Sequence, residues 1–428
     1  MRDDSQSRLA GLLRWLYPGL EIKRWLGLAV ISAIIFGAGL LLVLGRSLVG
    51  QLYDLLVGNS QLYYTIASIF LGCGLLGVIW AINKAVRSVF GDILTDRSAS
   101  APEVLWRRRF LSRGPSTVAI GGGTGLSVLL RGLKAYTSNI SAVVTVMDDG
   151  GSSGRLRREM DMLPPGDIRN CIIALADDES QMGKVFQHRF KGGAGLDGHS
   201  LGNLFIAGME RMTGSFDKAI EETSRLLNIR GQVIPATLAD TNLEVTFDDG
   251  HTVVGESSVS KHPGRITGIT LSDSVDPHPK AINAIREAEV LVIGPGSLYT
   301  SLIPNLLVQD IADEVVRSSA KKFFVVNIMT EPGETDNYSV SDHLVALQPY
   351  LPLDTFDKIL VNSGEISREL LDQYAEEGAR PVYFGGKENP EIKDRVLTED
   401  FVSVVELDDK RTIKHDYRKL AEVIFSHS

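Results

Sequence analysis

Two different hydrophobic patterns divide this chain. Near the N-terminus, two uncharged runs rich in Leu, Ile, Ala and Gly extend over about 25–45 and 62–83. Each is long enough to cross a bilayer core of about 30 Å as a helix that rises about 1.5 Å per residue. A second run of this kind also argues against a cleaved signal peptide. The pattern predicts a two-helix transmembrane hairpin within residues 1–83, with a buried hairpin of a soluble protein as the alternative.

From residue 115 onward, short apolar runs alternate with segments of helical periodicity. Runs that predict buried strands lie at 118–120, 142–147, 290–293, 323–328 and 358–361. Buried strands that alternate with helices are typical of a mostly parallel sheet covered by helices on both faces. The pattern therefore predicts a Rossmann-like α/β domain over 115–428. Residues 240–270 instead alternate with a period of two around an Asp-Asp-Gly turn, which predicts a small β insertion.

Charge separates the same two parts of the chain. Residues 1–114 carry 13 Lys+Arg and 7 Asp+Glu, whereas the remainder carries 31 and 46. Because basic residues flank the apolar runs and the loop between them has only Arg46, both termini and the main domain are expected on the cytoplasmic side of a bacterial inner membrane. Residues 84–114 are expected to form a basic connector. The acidic body argues against binding of nucleic acid. The two cysteines of the chain, Cys73 and Cys171, lie in different parts and suggest no disulfide framework.

A glycine-rich turn follows the first predicted strand, at 121–125 (GGGTG), and leads directly into a predicted helix over 125–135. Glycines let backbone N–H groups approach a ligand, and a helix N-terminus favours an anion. The turn fits neither the dinucleotide fingerprint, whose third glycine would fall on Leu126, nor the P-loop, which needs a lysine. It predicts a phosphate site at Gly122, Gly123, Thr124 and Gly125, with a tightly packed strand-to-helix turn as the alternative.

A second glycine loop follows the predicted strand at 290–293. It contains Gly294, Gly296 and Ser297, and Asn327 lies at the end of the next predicted strand, with further polar residues at 330–335. Ligands of parallel α/β sheets bind at the carboxyl ends of the strands. Two anion-binding loops at that edge predict a ligand with two ends, such as a nucleoside diphosphate joined to a sugar.

Two acidic residues, Asp148 and Asp149, follow the predicted strand at 142–147. Carboxylates in this position suit Mg²⁺ or a hydroxyl group of the ligand. The loop behind them offers Ser152, Ser153 and Arg155, which suit a phosphate group. The alternative is an ordinary solvated turn.

Further polar candidates lie at the starts of two predicted helices. Asp167 could bind the ligand or simply cap its helix, and Arg169 could pair with it or face the ligand. His199 and Asn203 could bind substrate oxygens, and His199 could move a proton. Because no second histidine lies at ligand spacing from His199, zinc is not expected there.

Six motifs occur in a fixed order along the main domain: GGGTGLSVLLRGLK, VMDDGGSSGRLR, LPPGDIRNC, HSLGNL, GPGSLYTSLIPNLL and NIMTEPGETDNY. Together they resemble the YvcK group of the CofD-like superfamily, often called the gluconeogenesis factor family, over residues 116 to about 420. The predicted membrane spans depart from the better-known members of that family, which are soluble.

The resemblance implies a Rossmann-like homodimer that binds a UDP-sugar such as UDP-N-acetylglucosamine. It implies a regulator of carbon metabolism, cell-wall synthesis and cell shape, with cell-wall enzymes or a Ser/Thr kinase as partners. The alternative is the CofD reaction, a Mg²⁺-dependent phosphotransfer from a nucleoside-diphosphate-linked donor. The resemblance implies no catalytic residue. It places Gly122, Gly123 and Thr124 at phosphate, Asp148 and Asp149 at metal or substrate, and Asn203, Gly294, Gly296 and Ser297 around the nucleotide.

Overall fold

The structure, a computed structural model, forms two compact units, Met1–Ser112 and Arg113–Ser428. It describes residues 22–44, 65, 68–81, 83, and 110–428 except 178, 194, 385–389, 408 and 409.

The helices begin with α1 in the first unit, and the others belong to the second. They are α1 Ile22–Leu44, α2 Gly123–Leu133, α3 Gly151–Met160, α4 Gly166–Leu175, α5 Glu179–Gln187, α6 Leu201–Thr213, α7 Phe216–Leu226, α8 Glu256–Val259, α9 Pro279–Arg286, α10 Ile303–Leu307, α11 Ile311–Arg317, α12 Val340–Leu347, α13 Arg368–Glu376, α14 Pro390–Lys393 and α15 Tyr417–Ser426. Strands occur between them. They are β1 Thr117–Gly121, β2 Ile140–Val144, β3 Gln232–Pro235, β4 Leu243–Phe247, β5 Thr252–Val254, β6 Ile266–Leu271, β7 Val290–Ile293, β8 Lys321–Val325, β9 Lys358–Asn362, β10 Val396–Glu399, β11 Val402–Leu407 and β12 Lys410–His415.

In the first unit, α1 packs against the helical residues 68–81 through small side chains. A Cβ atom on Gly74 would lie 2.6 Å from the backbone nitrogen of Phe36, and one on Gly77 would lie 2.5 Å from Ser32 Oγ. The two helices therefore approach each other so closely that larger residues would not fit at these positions.

The predicted transmembrane hairpin is wrong. Among the described residues, no helix has the combined length and apolar content that crossing a bilayer requires. The prediction counted uncharged residues along the chain, and such a count does not establish the helix that they form. The predicted multi-pass membrane localisation is wrong with it, and residues 84–109 of the predicted connector lie outside the described residues.

Seven parallel strands form the central sheet of the second unit, in the order β10-β9-β8-β7-β1-β2-β3. This arrangement confirms the predicted α/β fold with a mostly parallel sheet. From β1 the chain proceeds to β2 and β3, returns to β7 on the other side of β1, and continues outward to β10. The topological switch point therefore lies between β1 and β7, where parallel sheets of this kind bind ligands.

Two strands are shorter than the apolar pattern predicts. The run at 142–147 pairs only as far as Val144, and the run at 323–328 only as far as Val325. The neighbouring strands β1 and β3 end opposite Val144, so the residues after it have no strand to pair with. Val146 and Met147 lie beyond the paired part of the strand, and their side chains are buried in the core.

The core lies between the sheet and its helices. The whole of β1 is buried, and α2 directs Leu126, Leu129, Leu130 and Leu133 into the core at helical spacing. On α2, a Cβ on Gly132 would lie 2.1 Å from the carbonyl oxygen of Tyr417, so α15 packs tightly on α2. The helix that carries the first glycine loop is thereby fixed from both sides.

Two small antiparallel sheets border the carboxyl edge of the central sheet. Strands β5, β4 and β6 form the β insertion, and its Ser257 N–H donates to Asp149 Oδ1 over 2.7 Å. Strands β11 and β12 form a hairpin whose His415 Nε2 lies 3.2 Å from the carbonyl oxygen of Val326. The two sheets therefore bring residues distant in the chain to the ends of β2 and β8.

Candidate functional site

The two glycine loops lie in direct contact at the switch point. Strands β1 and β7 are paired in register from Thr117 with Val290 to Ile120 with Ile293, so they end at the same level. A Cβ on Gly125 would lie 2.4 Å from the carbonyl oxygen of Pro295. Position 125 must therefore be glycine for the loops to touch, and both loops face one location.

The first loop depends on glycine for two separate reasons. Gly123 begins α2 with φ +62°, a left-handed conformation that side chains disfavour. Gly122 is extended, but a Cβ there would lie 2.6 Å from Asp167 Oδ2. The backbone N–H of Gly123 donates to the Asp167 carboxylate. The N-terminus of α2 thus already has one carboxylate beside it.

A cleft of about 300 Å³ opens over the loops. Its walls come from both glycine loops, the segment after β8, α13 and β12, and include Gly122, Gly123, Thr124, Gly125, Gly296, Ser297, Asn327, Glu331, Tyr374, Glu377, Thr412 and Lys414. Lys414 Nζ donates to Thr124 Oγ1 over 3.3 Å. Burial, together with the nearby Arg131, lowers the pKa of Lys414. The cleft therefore combines a helix N-terminus with a partly desolvated cation, which suits an anionic ligand.

Two of the predicted ligand-binding side chains hold the second loop instead. Gly296 N donates to Asn327 Oδ1 over 3.2 Å, and Asn327 Nδ2 donates back to the carbonyl oxygen of Gly296 over 2.9 Å. The hydroxyl group of Ser297 hydrogen-bonds to Glu331. Gly294 supports the same loop with φ +83°. These side chains line or support the cleft mainly by shaping its backbone.

Carboxyl groups gather on the other side of the first loop. Asp148 Oδ1 accepts the N–H of Gly150 over 2.9 Å, and its other oxygen lies against Gly166. Asp149 is committed to the β insertion through the N–H of Ser257. Glu256, the residue before Ser257, extends the group. Both acidic residues predicted to bind metal repel Glu256, and Asp148 also repels Asp167.

Mutual repulsion and burial disturb the ionisation of these acids. Burial and the charge of Asp148 raise the pKa of Asp167 to about 6, although the N–H of Gly123 and Arg169 oppose the rise. Burial and the charges of Asp148 and Asp167 raise the pKa of Glu256 to about 9. Burial and Glu331 also raise the pKa of Glu334, which accepts a hydrogen bond from Thr300. Burial and mutual repulsion therefore oppose full ionisation of this cluster.

A buried polar network joins four of the sequence candidates. Arg169 donates to Asn203 Oδ1 over 2.6 Å, and since arginine has only donors, this contact fixes the orientation of the Asn203 amide. Asn203 Nδ2 then donates to Ser152 Oγ over 3.0 Å, and Ser152 Oγ lies 2.9 Å from His199 Nδ1. Burial lowers the pKa of His199, which favours the neutral imidazole. These residues position one another, and α3, α4 and α6 with them.

The remaining candidates lie behind the acids. Ser153 is buried, and its Oγ lies against Gly166 at the start of α4. Arg155 donates to the carbonyl oxygen of Asp197 over 2.6 Å, so its guanidinium holds the loop before α6.

Comparison with known proteins places this site in a family. Residues 117–402 match the family described as 2-phospho-L-lactate transferase CofD. The chain belongs to the CofD family. Similar CofD-family relatives include the gluconeogenesis factor of Bacillus subtilis, which is 46% identical over 73% of this chain and 98% of its own length. The gluconeogenesis factor of Halalkalibacterium halodurans is 46% identical over 72% of this chain and 95% of its own length.

A solved structure supports the same family assignment. The crystal structure of protein BH3568 from Bacillus halodurans has a TM-score of 0.68 and 45% identity, and covers 73% of this chain and 100% of its own. The CofD-family fold of the main unit is therefore shared with a protein of known structure.

Lys414 lines the cleft and Glu256 lies in the carboxyl cluster, but neither was predicted from the sequence. Lys414 is far from the six motifs and reaches the cleft only because the β11–β12 hairpin folds back on the sheet. Its signal was the alternation of polar and apolar residues at 412–415, which places Thr412 and Lys414 on one face. Glu256 follows the β4–β5 hairpin and carries no local signal of its role.

Proposed function

We propose that this protein binds a nucleoside-diphosphate sugar, with a UDP-sugar such as UDP-N-acetylglucosamine as the leading candidate, and acts as a regulator of carbon metabolism and cell-wall synthesis. One observation carries the proposal: two glycine loops touch at the β1/β7 switch point, directly beside Lys414. Backbone N–H groups and one lysine are the groups that bind a pyrophosphate at a helix N-terminus.

The walls of the cleft suit the rest of such a ligand. Tyr374 and Glu377 stand opposite the glycine loops, and Thr412 and Lys414 lie on the neighbouring strand β12. An aromatic ring, a carboxylate and a hydroxyl group are suited to a base and to sugar hydroxyl groups. A ligand with a charged centre and polar ends thus matches the cleft better than a free phosphate does.

Two features favour regulation over catalysis. Ser152 and His199 are the residues most like a nucleophile and a general base. Both are buried in a hydrogen-bond network that also contains Asn203 and Arg169. Several relatives are named gluconeogenesis factor, a name that describes a metabolic role rather than a reaction. By analogy, this chain would report the level of a nucleotide sugar to the enzymes of carbon flow and the cell wall.

Calorimetric titration of the full chain with UDP-N-acetylglucosamine, GDP and NAD, with and without Mg²⁺, tests the proposal. We expect the UDP-sugar to bind tightest and to be recovered unchanged. Lys414→Met should weaken binding, whereas Lys419→Met, which alters a half-buried lysine of α15 paired with Glu399, should not. Preference for NAD, or equal affinity of the two variants, would contradict the proposal.

The carboxyl cluster favours a second candidate, a Mg²⁺-dependent phosphotransferase of the CofD type. Magnesium in such sites is held by one or two carboxylates together with phosphate oxygens, and Asp148 and Asp167 could supply the carboxylates. When bound, the ion would neutralise charge on the phosphate groups. Asp149, held by the β insertion, would keep the loop of Asp148 in place. Consumption of a nucleoside-diphosphate-linked donor only in the presence of Mg²⁺ would favour this candidate.

A further inference from the structure

We propose that the β insertion contains a binding site for a divalent transition-metal ion, with zinc as the best fit, formed by Asp249, His251 and His262. Asp249 Oδ2 lies 3.2 Å from His251 Nδ1 and 3.1 Å from His262 Nε2. The three ligand atoms all lie within 4.8 Å of one another. This site is separate from the nucleotide cleft, and the proposal does not depend on the proposed function.

The spacing matches metal coordination. Donor atoms about 2.0–2.1 Å from a tetrahedral zinc lie about 3.4 Å from one another. The two separations that involve Asp249 are already close to this value, and His251 is exposed, so its ring is free to adjust. Two imidazoles and one carboxylate are a donor set that suits zinc and its first-row neighbours rather than Mg²⁺ or Ca²⁺. Three protein ligands would leave a fourth position for water or for a group from another molecule.

The surrounding backbone holds the ligands in place before any metal binds. The N–H of His251 donates to Asp249 Oδ1 over 2.9 Å, which fixes one carboxylate oxygen and leaves Oδ2 for the site. Phe247 pairs with His251 across the turn, and the ring of His262 packs on the Phe247 ring with 4.4 Å between centroids. Less rotational freedom would therefore be lost on metal binding than for three free side chains.

A metal ion bound here would cross-link two segments of the insertion. Asp249 and His251 belong to the β4–β5 turn, and His262 to the loop that leads into β6. That loop carries Arg265. Its carbonyl oxygen accepts the N–H of Asp248, and its own N–H donates to Asp248 Oδ1. Arg265 lines a cleft of about 390 Å³ together with Glu334. Metal binding would thus stiffen the wall from which Arg265 extends.

Spacing along the chain does not indicate this site. The two histidines are separated by ten residues, and the expectation that zinc is absent was drawn around His199 alone. The β4–β5 hairpin and the short helix α8 bring them together in space, which the spacing along the chain does not show.

Zinc titration of the full chain, freed of metal with a chelator, tests the proposal. We expect one Zn²⁺ per chain, and at least about tenfold weaker binding in His262→Ala and in Asp249→Asn. His427→Ala, which removes an exposed histidine near the C-terminus, is the matched control and should bind like the wild type. Cobalt should give a visible absorption band in the wild type that both site variants lose.

Folding is checked in the same experiment. Asp249→Asn keeps the shape of the side chain and an oxygen for the N–H of His251, so it should fold. Zinc should raise the resistance of the wild type to urea and leave that of Asp249→Asn unchanged. Failure of the wild type to bind zinc, or equal affinity in wild type and Asp249→Asn, would overturn the proposal.

Discussion

The two sides of the first glycine loop are made of opposite chemistry. On one side, two glycine loops present backbone N–H groups beside Lys414. On the other side, Asp148, Asp167 and Glu256 crowd their carboxyl groups together, and the pKa values of the last two rise to about 6 and about 9. The first side suits an anion, whereas burial and mutual repulsion oppose full ionisation of the second.

The difference shows that the two sides are sensitive to different changes. The glycine side depends on close backbone approach, so added volume should disrupt it at any pH. The acidic side depends on charge, so pH and neutralising substitutions should alter it without any change of shape. An effect at the glycine side that depended on pH, or an effect at the acidic side that did not, would contradict this difference.

Gly125→Ala should have the largest effect. A Cβ at this position would lie 2.4 Å from the carbonyl oxygen of Pro295, so the loops must separate. We expect about 1–3 kcal/mol less stability toward urea. Loss of two charged hydrogen bonds to phosphate, at about 1.5–3 kcal/mol each, would lower UDP-sugar affinity by about a hundredfold or more in calorimetry.

Gly208→Ala is the matched control for this variant. Gly208 lies within α6, and a Cβ there would have no neighbour within 4 Å. Because alanine favours a helix by about 1 kcal/mol over glycine, this variant should be as stable as the wild type or more so. Equal behaviour of the two variants would mean that the loops do not need their contact.

Asp167→Asn should have the next largest effect, on stability and its dependence on pH. Asp167 has a folded pKa of about 6 against an ordinary value near 3.8, so the unfolded chain releases its proton first as pH rises. The wild type therefore loses stability between about pH 4 and 6, by up to about 3 kcal/mol, and the loss is constant above pH 6.

Urea unfolding of wild type and Asp167→Asn from pH 4 to pH 8 measures this effect. The stability of the variant relative to the wild type should rise between pH 4 and 6 and level off above pH 6. The hydrogen bond from Gly123 to the uncharged amide is weaker than to the carboxylate, which offsets part of the gain. A stability difference between the two proteins that does not change with pH would show that burial and Asp148 do not raise the pKa of Asp167.

Much of the fold was predictable because its elements carry local signals. The apolar runs before each glycine loop are buried parallel strands, and the Asp-Asp-Gly turn of the insertion lies where the alternation placed it. The strand ends were less predictable, since Val146 and Met147 are buried without pairing. The membrane spans were predicted wrongly because a count of uncharged residues does not reveal the helix that they form.

The candidate site was predictable only where the chain marks it with glycines or paired acids. The convergence of the two loops follows from sheet topology, because the carboxyl ends of parallel strands meet at one edge. Lys414 and Glu256 could not be found in this way, since only the tertiary packing of two small sheets brings them close to the first glycine loop and the acidic residues. Asn327 shows that the role of a side chain is harder to predict than its place, because this residue lines the cleft and also hydrogen-bonds to the backbone of Gly296.

Lys414→Met tests whether the glycine side needs its cation. Loss of one charged hydrogen bond to phosphate should lower UDP-sugar affinity by about 1.5–3 kcal/mol. Stability should stay equal or increase, because burial lowers the pKa of Lys414 and the charged form is disfavoured in the folded chain. Any gain in stability should be largest near neutral pH and disappear as pH approaches the ordinary lysine pKa of about 10.4. Weaker binding together with weaker folding would mean that Lys414 is a structural residue.

Thr124→Ala should have the smallest effect, about 1 kcal/mol in affinity, as expected for one uncharged hydrogen bond. Its value lies in combination with Lys414→Met, because Lys414 Nζ and Thr124 Oγ1 are 3.3 Å apart. If Thr124 holds the lysine against a bound phosphate, the double variant should lose less affinity than the two single losses added together. Calorimetry of all four proteins gives this coupling directly. Strict additivity would mean that the two groups bind the ligand independently, so the glycine loop would form its anion site without positioning its cation.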